Sequence, residues 1–239
     1  NPFTNIYSID ENLKMSQGFK LKTKDFGFIV LSFIVLSFLV SIGATNNIDK
    51  LISSYFYKLG GNPTIDFTMV IISSIGDLFF MLIVGIILTI IRRTRKIGLI
   101  FLISIVILSI SIMYIKPIIG RTSPIEQFVP HYHLPENYMI ENDSMMPIAR
   151  ELSFPSNSIA RDTAFIVIIG YWLILFKNNN FVGKLLWIFP LLVGLSKLYL
   201  LQHYFFDIIG GILYGLIISM VLCKVLKLNE PYITNKFNQ

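Results

Sequence analysis

Long runs of apolar residues alternate along this chain with short polar segments that carry most of its charge. A helix rises about 1.5 Å per residue, so roughly 20 apolar residues cross a hydrocarbon core of about 30 Å. Six runs approach or exceed that length, and we predict a membrane-spanning helix over each. The predicted spans cover residues 26–44, 66–91, 97–115, 159–176, 185–202 and 207–226, and the mixed segment 46–65 between the first two is predicted to be a loop.

The composition agrees with that pattern. Hydrophobic residues make up 54% of the chain and charged residues only 14%, with a mean hydropathy of +0.68. A soluble domain of this length carries more charge. The predicted fold class is therefore an all-α integral membrane protein, a bundle of six transmembrane helices over residues 26–228. Residues 1–25 and 229–239 are expected to form cytoplasmic tails.

Basic residues predict how this bundle is oriented. Four cations lie at 92–96, and others mark the 177–184 loop and both tails. Lys and Arg accumulate in cytoplasmic loops. Both termini are therefore expected inside the cell membrane, with the polar segment 116–158 and His203 at the outer face. The net charge of +6 has the same explanation, so a nucleic-acid partner is not expected.

A histidine and an aspartate stand four residues apart where the fifth predicted span meets the sixth. If that segment is helical, His203 and Asp207 share a face, and the carboxylate can hold one ring nitrogen while the other meets a substrate. This pairing prepares a histidine as a nucleophile or base. Ser196 and Lys197 precede it by about two helical turns and add a hydroxyl and a cation near the same end.

Two earlier polar stretches are predicted on the same outer side. Residues 116–124 contain Lys116, Arg121 and Ser123, and residues 154–158 read Phe-Pro-Ser-Asn-Ser. In order and spacing, these two stretches and the one ending at Asp207 resemble the signature of the type 2 phosphatidic acid phosphatase superfamily. Those membrane enzymes remove phosphate from lipid phosphates and diphosphates.

The resemblance covers nearly the whole chain from the second span onward, and it implies a site and a mechanism. His203 would attack phosphorus to form a phosphohistidine, and Asp207 would hold its tautomer and stabilise the charged ring. The family needs neither a metal nor another cofactor. The positions that match its pattern are Lys116, Pro124, Pro155, Ser156, Ser196, His203 and Asp207.

Each motif also departs from the family pattern. Ser123 and Lys197 stand where the family has arginine, Asn157 replaces a glycine, and Ser158 replaces the histidine that serves as general acid. Serine cannot donate a proton near neutral pH, and a general acid is worth roughly 10²–10⁴ in rate. That loss should be smallest for an acidic leaving group, as when a polyprenyl diphosphate loses its terminal phosphate.

Phosphoryl transfer depends on cations and donors placed around three charged oxygens. Arg121 lies two residues from the vacated arginine position and could partly replace it. Backbone N–H groups at the start of the fourth span could add anion binding. The predicted phosphate-binding residues are Lys116, Arg121, Ser123, Ser156, Asn157, Ser196 and Lys197.

Two functions of different classes are consistent with these residues. The first is a weakened phosphatase that hydrolyses a lipid phosphate or polyprenyl diphosphate at the outer face. The second is a catalytically silent member that binds lipid phosphate or serves as a structural subunit of a membrane complex. A third interpretation is that some replacements were engineered to trap substrate.

A few other residues carry alternatives. His131 and His133, in the outer loop with Glu126, Glu136, Glu141 and Asp143, could form a relocated acid or metal pair, but two histidines without a third ligand favour a polar surface loop. Asp77 lies inside the second span after Gly76, which indicates a helix irregularity. Lys116 or Lys197 could neutralise this carboxylate, in a functional or a structural pair.

Two further groups of residues have a structural interpretation. Arg161 and Asp162 are interpreted as a local pair or as interface anchors. Gly210, Gly211 and Gly215 are expected to be close-packing positions between helices.

Overall fold

The structure is a computed structural model that describes residues 23–128, 132, 151–177 and 180–228. The regular secondary structure within these residues is helical, apart from one isolated antiparallel bridge between Thr122 and Leu152. The all-α class is therefore confirmed for the described part of the chain. The helices are α1 (Thr23–Ser41), α2 (Asn46–Leu59), α3 (Pro63–Ile75), α4 (Leu78–Ile90), α5 (Arg95–Ile119), α6 (Asn157–Lys177), α7 (Asn180–Leu185), α8 (Ile188–Tyr199) and α9 (Phe205–Val225), with a 3₁₀ turn at Pro124–Glu126.

Three of the described helices, α1, α5 and α9, are long and apolar enough to cross a membrane on length and composition. Helices α3 and α4 meet at a 47° bend and pass the same test together, so the number of such spans is four if this bent pair is counted as one. The fourth predicted span corresponds to α6, whereas the fifth corresponds to α8 and shares only Leu185 with α7. A membrane protein is thus supported, and the number of six spans stays a prediction.

The bend between α3 and α4 occurs at Gly76, where the sequence predicted an irregularity. A Cβ atom at this position would lie 2.6 Å from Val193 Cγ1 and 2.7 Å from Asp162 Oδ2. Both distances are shorter than any ordinary contact. Only glycine fits here, because the bent segment packs directly against α6 and α8.

Helix α2 occupies a segment, 46–65, that the sequence pattern had assigned to a loop. Its apolar and polar residues follow a helical period, but the polar side faces the protein interior and the apolar side faces outward. Asp49 and Ser53 are buried, whereas Leu51 and Tyr55 are exposed. An exposed apolar stripe suits a helix that touches lipid. The loop assignment was wrong because the segment has mixed composition and its polar residues face inward.

The glycines of α9 provide the close contact with α6 that the sequence predicted. A Cβ at Gly215 would lie 2.5 Å from the Ala160 carbonyl oxygen, and one at Gly211 would lie 2.7 Å from that of Ser156. A Cβ at Gly210 would lie 2.5 Å from the ring of Phe154. These three contacts confirm the packing role and join α9 to the segment that starts α6.

The two ends of the bundle differ in charge. Lys96, at the start of α5, donates to the carbonyl of Lys227 just beyond α9 at 2.5 Å. These helices are therefore antiparallel, and the basic segments at 92–96 and 224–227 lie together. Lys116 is at the other end of α5, on the side where α9 begins. The three motif stretches thus gather at the end opposite to these basic segments.

Candidate active site

The first motif begins in the last turn of α5. Lys116 is 1% exposed, and its ammonium donates to the Leu152 carbonyl at 2.8 Å. Gly120 ends the helix with a left-handed backbone, φ +69°, and its N–H donates to the Lys116 carbonyl at 2.8 Å. Glycine adopts this conformation without a Cβ clash. The turn directs Arg121 back toward the bundle instead of away from it.

Backbone pairing then brings the first motif beside the second. The N–H of Ser123 donates to the Glu151 carbonyl at 2.9 Å, and that of Ser153 donates to the Arg121 carbonyl at 2.8 Å. Ser123 itself is half-buried, and its hydroxyl does not cap the 3₁₀ turn that follows it. The position that the family fills with arginine therefore lies next to the segment leading into α6.

The second motif stands at the N-terminus of α6. Ser156 and Ser158 are fully buried, and their hydroxyl oxygens lie 3.2 Å apart. Asn157, the first residue of the helix, is 5% exposed. The Ser156 N–H donates to the Asp207 carbonyl at 3.1 Å. The second and third motifs are thus in direct contact, as the resemblance implied.

The third motif is not one continuous helix, so the condition under which His203 and Asp207 would share a helix face is not met. Helix α8 ends at Tyr199 and α9 begins at Phe205, with a left-handed residue, Leu201, between them. His203 nevertheless lies beside Asp207, with 3.8 Å between Nδ1 and Oδ2. That distance suits an ion pair with a protonated histidine but exceeds a hydrogen bond.

Asp207 has several partners besides His203. It occupies the third position of α9, and its Oδ2 accepts from the Tyr204 N–H at 2.8 Å in a capping interaction. Its Oδ1 accepts from Arg121 Nη1 at 2.9 Å. The carboxylate is fully buried. It therefore caps α9 and neutralises a guanidinium in addition to facing the histidine.

Arg121 reaches the site, as its nearness to position 123 suggested, but it is held by carboxylates. Besides Asp207, it donates from Nη2 to Asp49 Oδ2 at 2.5 Å, and its guanidinium carbon lies 4.1 Å from the centre of the Tyr204 ring. Asp49 is fully buried and also accepts from the Phe206 N–H at 3.2 Å. Two carboxylates and an aromatic face thus surround one guanidinium.

Sequence reasoning did not identify Asp49. The residue lies in the stretch assigned to a loop, where one aspartate among polar neighbours carries no distinguishing signal. Its helical spacing from Ile52 and Phe56, which pack against the core, was the signal that could have placed it on an inward face.

Ser196 and Lys197 lie near the end of α8, and both are hydrogen-bonded to other groups of the protein. The Ser196 hydroxyl donates to the Val193 carbonyl of its own helix at 2.7 Å. Lys197 Nζ donates to Asp77 Oδ1 at 2.8 Å, with the two side chains 3% and 15% exposed. Lys197 therefore neutralises Asp77, which decides between the two lysines considered for that role. Phosphate contact by Ser196 and Lys197 stays a prediction.

The other residues singled out lie partly outside the site. Arg161 and Asp162 are 3% and 0% exposed within α6, so the interpretation as interface anchors was wrong. Among the described residues, no group of three or more His, Cys, Asp or Glu side chains is placed to hold a metal. His131, His133, Glu136, Glu141 and Asp143 lie outside the described residues, as does the Glu126 side chain.

One described residue of the polar segment 116–158, Tyr132, contacts the end of α8. Its hydroxyl donates to the Tyr199 carbonyl, and the two rings pack with centroids 5.6 Å apart. Burial raises the pKa of Tyr132, and the nearby Tyr199, Asp66 and Tyr57 raise it further. This phenol therefore stays neutral and donates its hydrogen bond throughout the physiological pH range.

Comparisons with known proteins agree with this geometry. The PAP2 superfamily, that of the type 2 phosphatidic acid phosphatases, has a family model that matches residues 75–230. A crystal structure of a PAP2-type phosphatidylglycerolphosphate phosphatase from Bacillus subtilis superposes with a TM-score of 0.66 at 21% identity, covering 87% of this chain and 98% of that one.

At that identity the likeness shows a shared fold. No curated protein sequence matches this chain. The family match, in contrast, extends over more than half of the chain and includes all three motif stretches. This chain therefore belongs to the PAP2 superfamily.

Proposed function

We propose that the chain is a weakened lipid-phosphate phosphatase that acts through a phosphohistidine on His203. The observation that carries this proposal is the buried pair formed by His203 and Asp207, 3.8 Å apart at the point where all three motifs meet. A histidine beside a carboxylate can hold positive charge after it has attacked phosphorus. The proposed substrate is a lipid phosphate or a polyprenyl diphosphate in the bilayer.

The proposed reaction has two steps. A ring nitrogen of His203 forms a bond to phosphorus while the bond to the lipid oxygen breaks, and the leaving oxygen takes the electron pair. Water then attacks the phosphohistidine, which releases inorganic phosphate and restores the ring. Lys116 and the N-terminus of α6, at Asn157 and Ser158, are proposed to bind the phosphoryl oxygens.

The replacement at position 158 determines which substrates are favoured. The Ser158 hydroxyl is 3.2 Å from that of Ser156 and cannot protonate a leaving alkoxide near neutral pH. When a lipid monophosphate is hydrolysed, the leaving group is a weakly acidic alcohol, and its oxygen needs that proton. When a lipid diphosphate loses its terminal phosphate, the leaving group is a phosphate monoester, which needs no proton. We therefore expect polyprenyl diphosphate to be hydrolysed faster than phosphatidate.

The proposed orientation places the site at the outer face of the cell membrane and both termini in the cytoplasm. Its support is the arrangement along α5, where the basic segment at 92–96 and the Lys116 end are at opposite ends of the helix. Basic segments stay on the cytoplasmic side. The proposed membrane domain comprises residues 26–228, with tails at 1–25 and 229–239.

A silent binding or structural role is the second candidate, and one observation favours it. Arg121 is paired with Asp49 and Asp207, and Lys197 with Asp77. A phosphate that enters the site must compete with these carboxylates for both cations. A chain with such pairs could bind lipid phosphate without turnover, or hold partner subunits in a membrane complex.

Phosphate release by the purified full chain in detergent tests the proposal. The substrates are a polyprenyl diphosphate and phosphatidate, without added metal, and the matched control is His203→Ala. Release that disappears in the control supports the phosphohistidine mechanism. Release that is equal in both proteins, or absent from both with either lipid, overturns it and favours the silent role.

A further inference from the structure

A polar pocket of about 240 Å³ opens beside Arg121, and of the three motif stretches only the turn at 119–122 and Tyr204 line it. It lies where the end of α1, the turn into α2 and the end of α5 meet. We call it the Lys50 pocket. Its lining residues are Val40, Ser41, Gly43, Asn46, Lys50, Ile119, Gly120, Arg121, Thr122, Gln127 and Tyr204.

The charge of this lining is one-sided. Lys50 and Arg121 contribute two cations, and no carboxylate is among the described residues that line the pocket. Lys50 is exposed, and within the described part of the chain it forms no ion pair. Arg121, by contrast, is already held by Asp49 and Asp207. Lys50 is therefore the cation available to an incoming anion, because the charge of Arg121 is already balanced by its two carboxylates.

Neutral donors complete the lining. Asn46 is the first residue of α2, and Thr122 and Gln127 follow α5. The turn before α2 leaves room for the Asn46 amide, because a Cβ on Gly43 would lie 2.9 Å from its nitrogen. An ammonium, an amide and hydroxyl donors around one small volume are the groups that bind a phosphate oxyanion.

The position of the pocket indicates how a ligand would arrive. Val40 and Ser41 end a helix that is apolar enough to cross a membrane, and α2 exposes Leu51 and Tyr55 to its surroundings. The pocket therefore lies near the level where lipid headgroups begin. Sites for whole drug-sized molecules occupy about 300–1,000 Å³, so this volume suits a headgroup whose tails remain outside.

The geometry points to the Lys50 pocket as a second anion site, which binds the phosphate group of a lipid headgroup or free phosphate. Lys50 is its main ligand. The site goes beyond the proposed phosphatase function, because binding there requires neither His203 nor turnover. A lipid with two phosphate groups could engage both sites at once.

Titration calorimetry of the purified full chain tests this inference. The probes are dihexanoyl phosphatidic acid and inorganic phosphate, with dihexanoyl phosphatidylcholine as a lipid without a free phosphate terminus. The variants are Lys50→Gln and, as a matched control on the same helix, Lys58→Gln. Both lysines are exposed, but Lys58 does not line the pocket. Each variant is combined with His203→Ala so that no probe is consumed.

We expect Lys50→Gln to weaken phosphatidic acid binding roughly tenfold, as for the loss of one charged hydrogen bond, and Lys58→Gln to change it less than about twofold. Tighter binding of the lipid than of inorganic phosphate identifies a headgroup site. Equal or tighter binding of inorganic phosphate, still dependent on Lys50, identifies a free-phosphate site. Equal affinities of the Lys50 and Lys58 variants for both probes overturn the inference.

Two controls separate this inference from the proposed function. If His203→Ala fails to fold, the same titrations use the unaltered histidine, with released phosphate quantified in each sample. Lys50-dependent binding without phosphate release from any lipid supports the second anion site and overturns the proposed phosphatase function. Phosphate release without Lys50-dependent binding supports the phosphatase function and overturns the second anion site.

Discussion

Arg121 and Asp207 are 86 residues apart in the chain, yet Nη1 of the guanidinium donates to Oδ1 of the carboxylate at 2.9 Å. The family pattern places an arginine at 123, and here a serine stands there. Arg121 thus brings a guanidinium to the vacated site but directs it at the carboxylate next to the histidine. The same charge that stabilises the third motif competes with His203 for Asp207.

The first prediction is that Arg121→Gln strongly destabilises the protein. The substitution leaves two fully buried carboxylates, Asp49 and Asp207, without their shared cation. Breaking a buried ion pair from one side costs about 3–5 kcal/mol. Thermal unfolding in detergent measures the loss. The control is Arg92→Gln, an exposed arginine in the turn between α4 and α5, and equal melting of the two variants would contradict the prediction.

The sequence predicted that the three motifs meet, because their order and spacing resemble a family signature. It did not predict which carboxylate each cation would face. Arg121 and Asp49 are 72 residues apart, and such a pair has no local signal in one sequence. A helix that turns its polar face inward, as α2 does, also resembles a loop by composition alone.

The second prediction is that Asp77 and Lys197 are energetically coupled. Their charged atoms are 2.8 Å apart, and both side chains are largely buried. Asp77→Asn or Lys197→Met alone leaves one charge without its partner, whereas the double variant removes both. We expect the double variant to unfold at a higher temperature than the sum of the single losses implies, with a coupling of about 1–3 kcal/mol. Additive losses would show that the pair does not act as a unit.

The sequence left Asp77 with two lysines to choose from, and the reason is geometric. Lys116 and Lys197 both belong to motifs that meet at one end of the bundle, and spacing does not distinguish them. The bend at Gly76, which lies against Val193 of α8, brings Asp77 to Lys197. Lys116 is instead bound to the Leu152 carbonyl.

The third prediction concerns the missing acid. Ser158→His combined with Ser123→Arg should raise phosphate release from phosphatidate by roughly 10²-fold or more, because a general acid is worth about 10²–10⁴. Release from a polyprenyl diphosphate should rise less, since its leaving group needs no proton. The added histidine must be protonated to act, so the gain is present at low pH and lost as pH rises past about 6.5.

A size-matched control separates chemistry from packing in this experiment. Ser158 is fully buried, so any larger side chain must displace its neighbours. Ser158→Gln, also combined with Ser123→Arg, is similarly large but supplies no titrating proton. Equal phosphate release by the two combined variants would show that a proton donor at this position does not limit the reaction.

The last prediction is that Gly211→Ala damages both stability and the site. A Cβ here would lie 2.7 Å from the Ser156 carbonyl oxygen, and this atom is backbone, so α9 must move away from the second motif. Overpacking of this kind costs about 1–3 kcal/mol. The Ser156 N–H also donates to the Asp207 carbonyl, so the shift separates the motifs and should lower phosphate release as well as the melting temperature.

Gly27→Ala in α1 is the matched control, because a Cβ there meets nothing within 4 Å and alanine favours a helix over glycine by about 1 kcal/mol. Similar melting of the two variants would mean that α9 and the second motif are not in the tight contact on which the joined site depends.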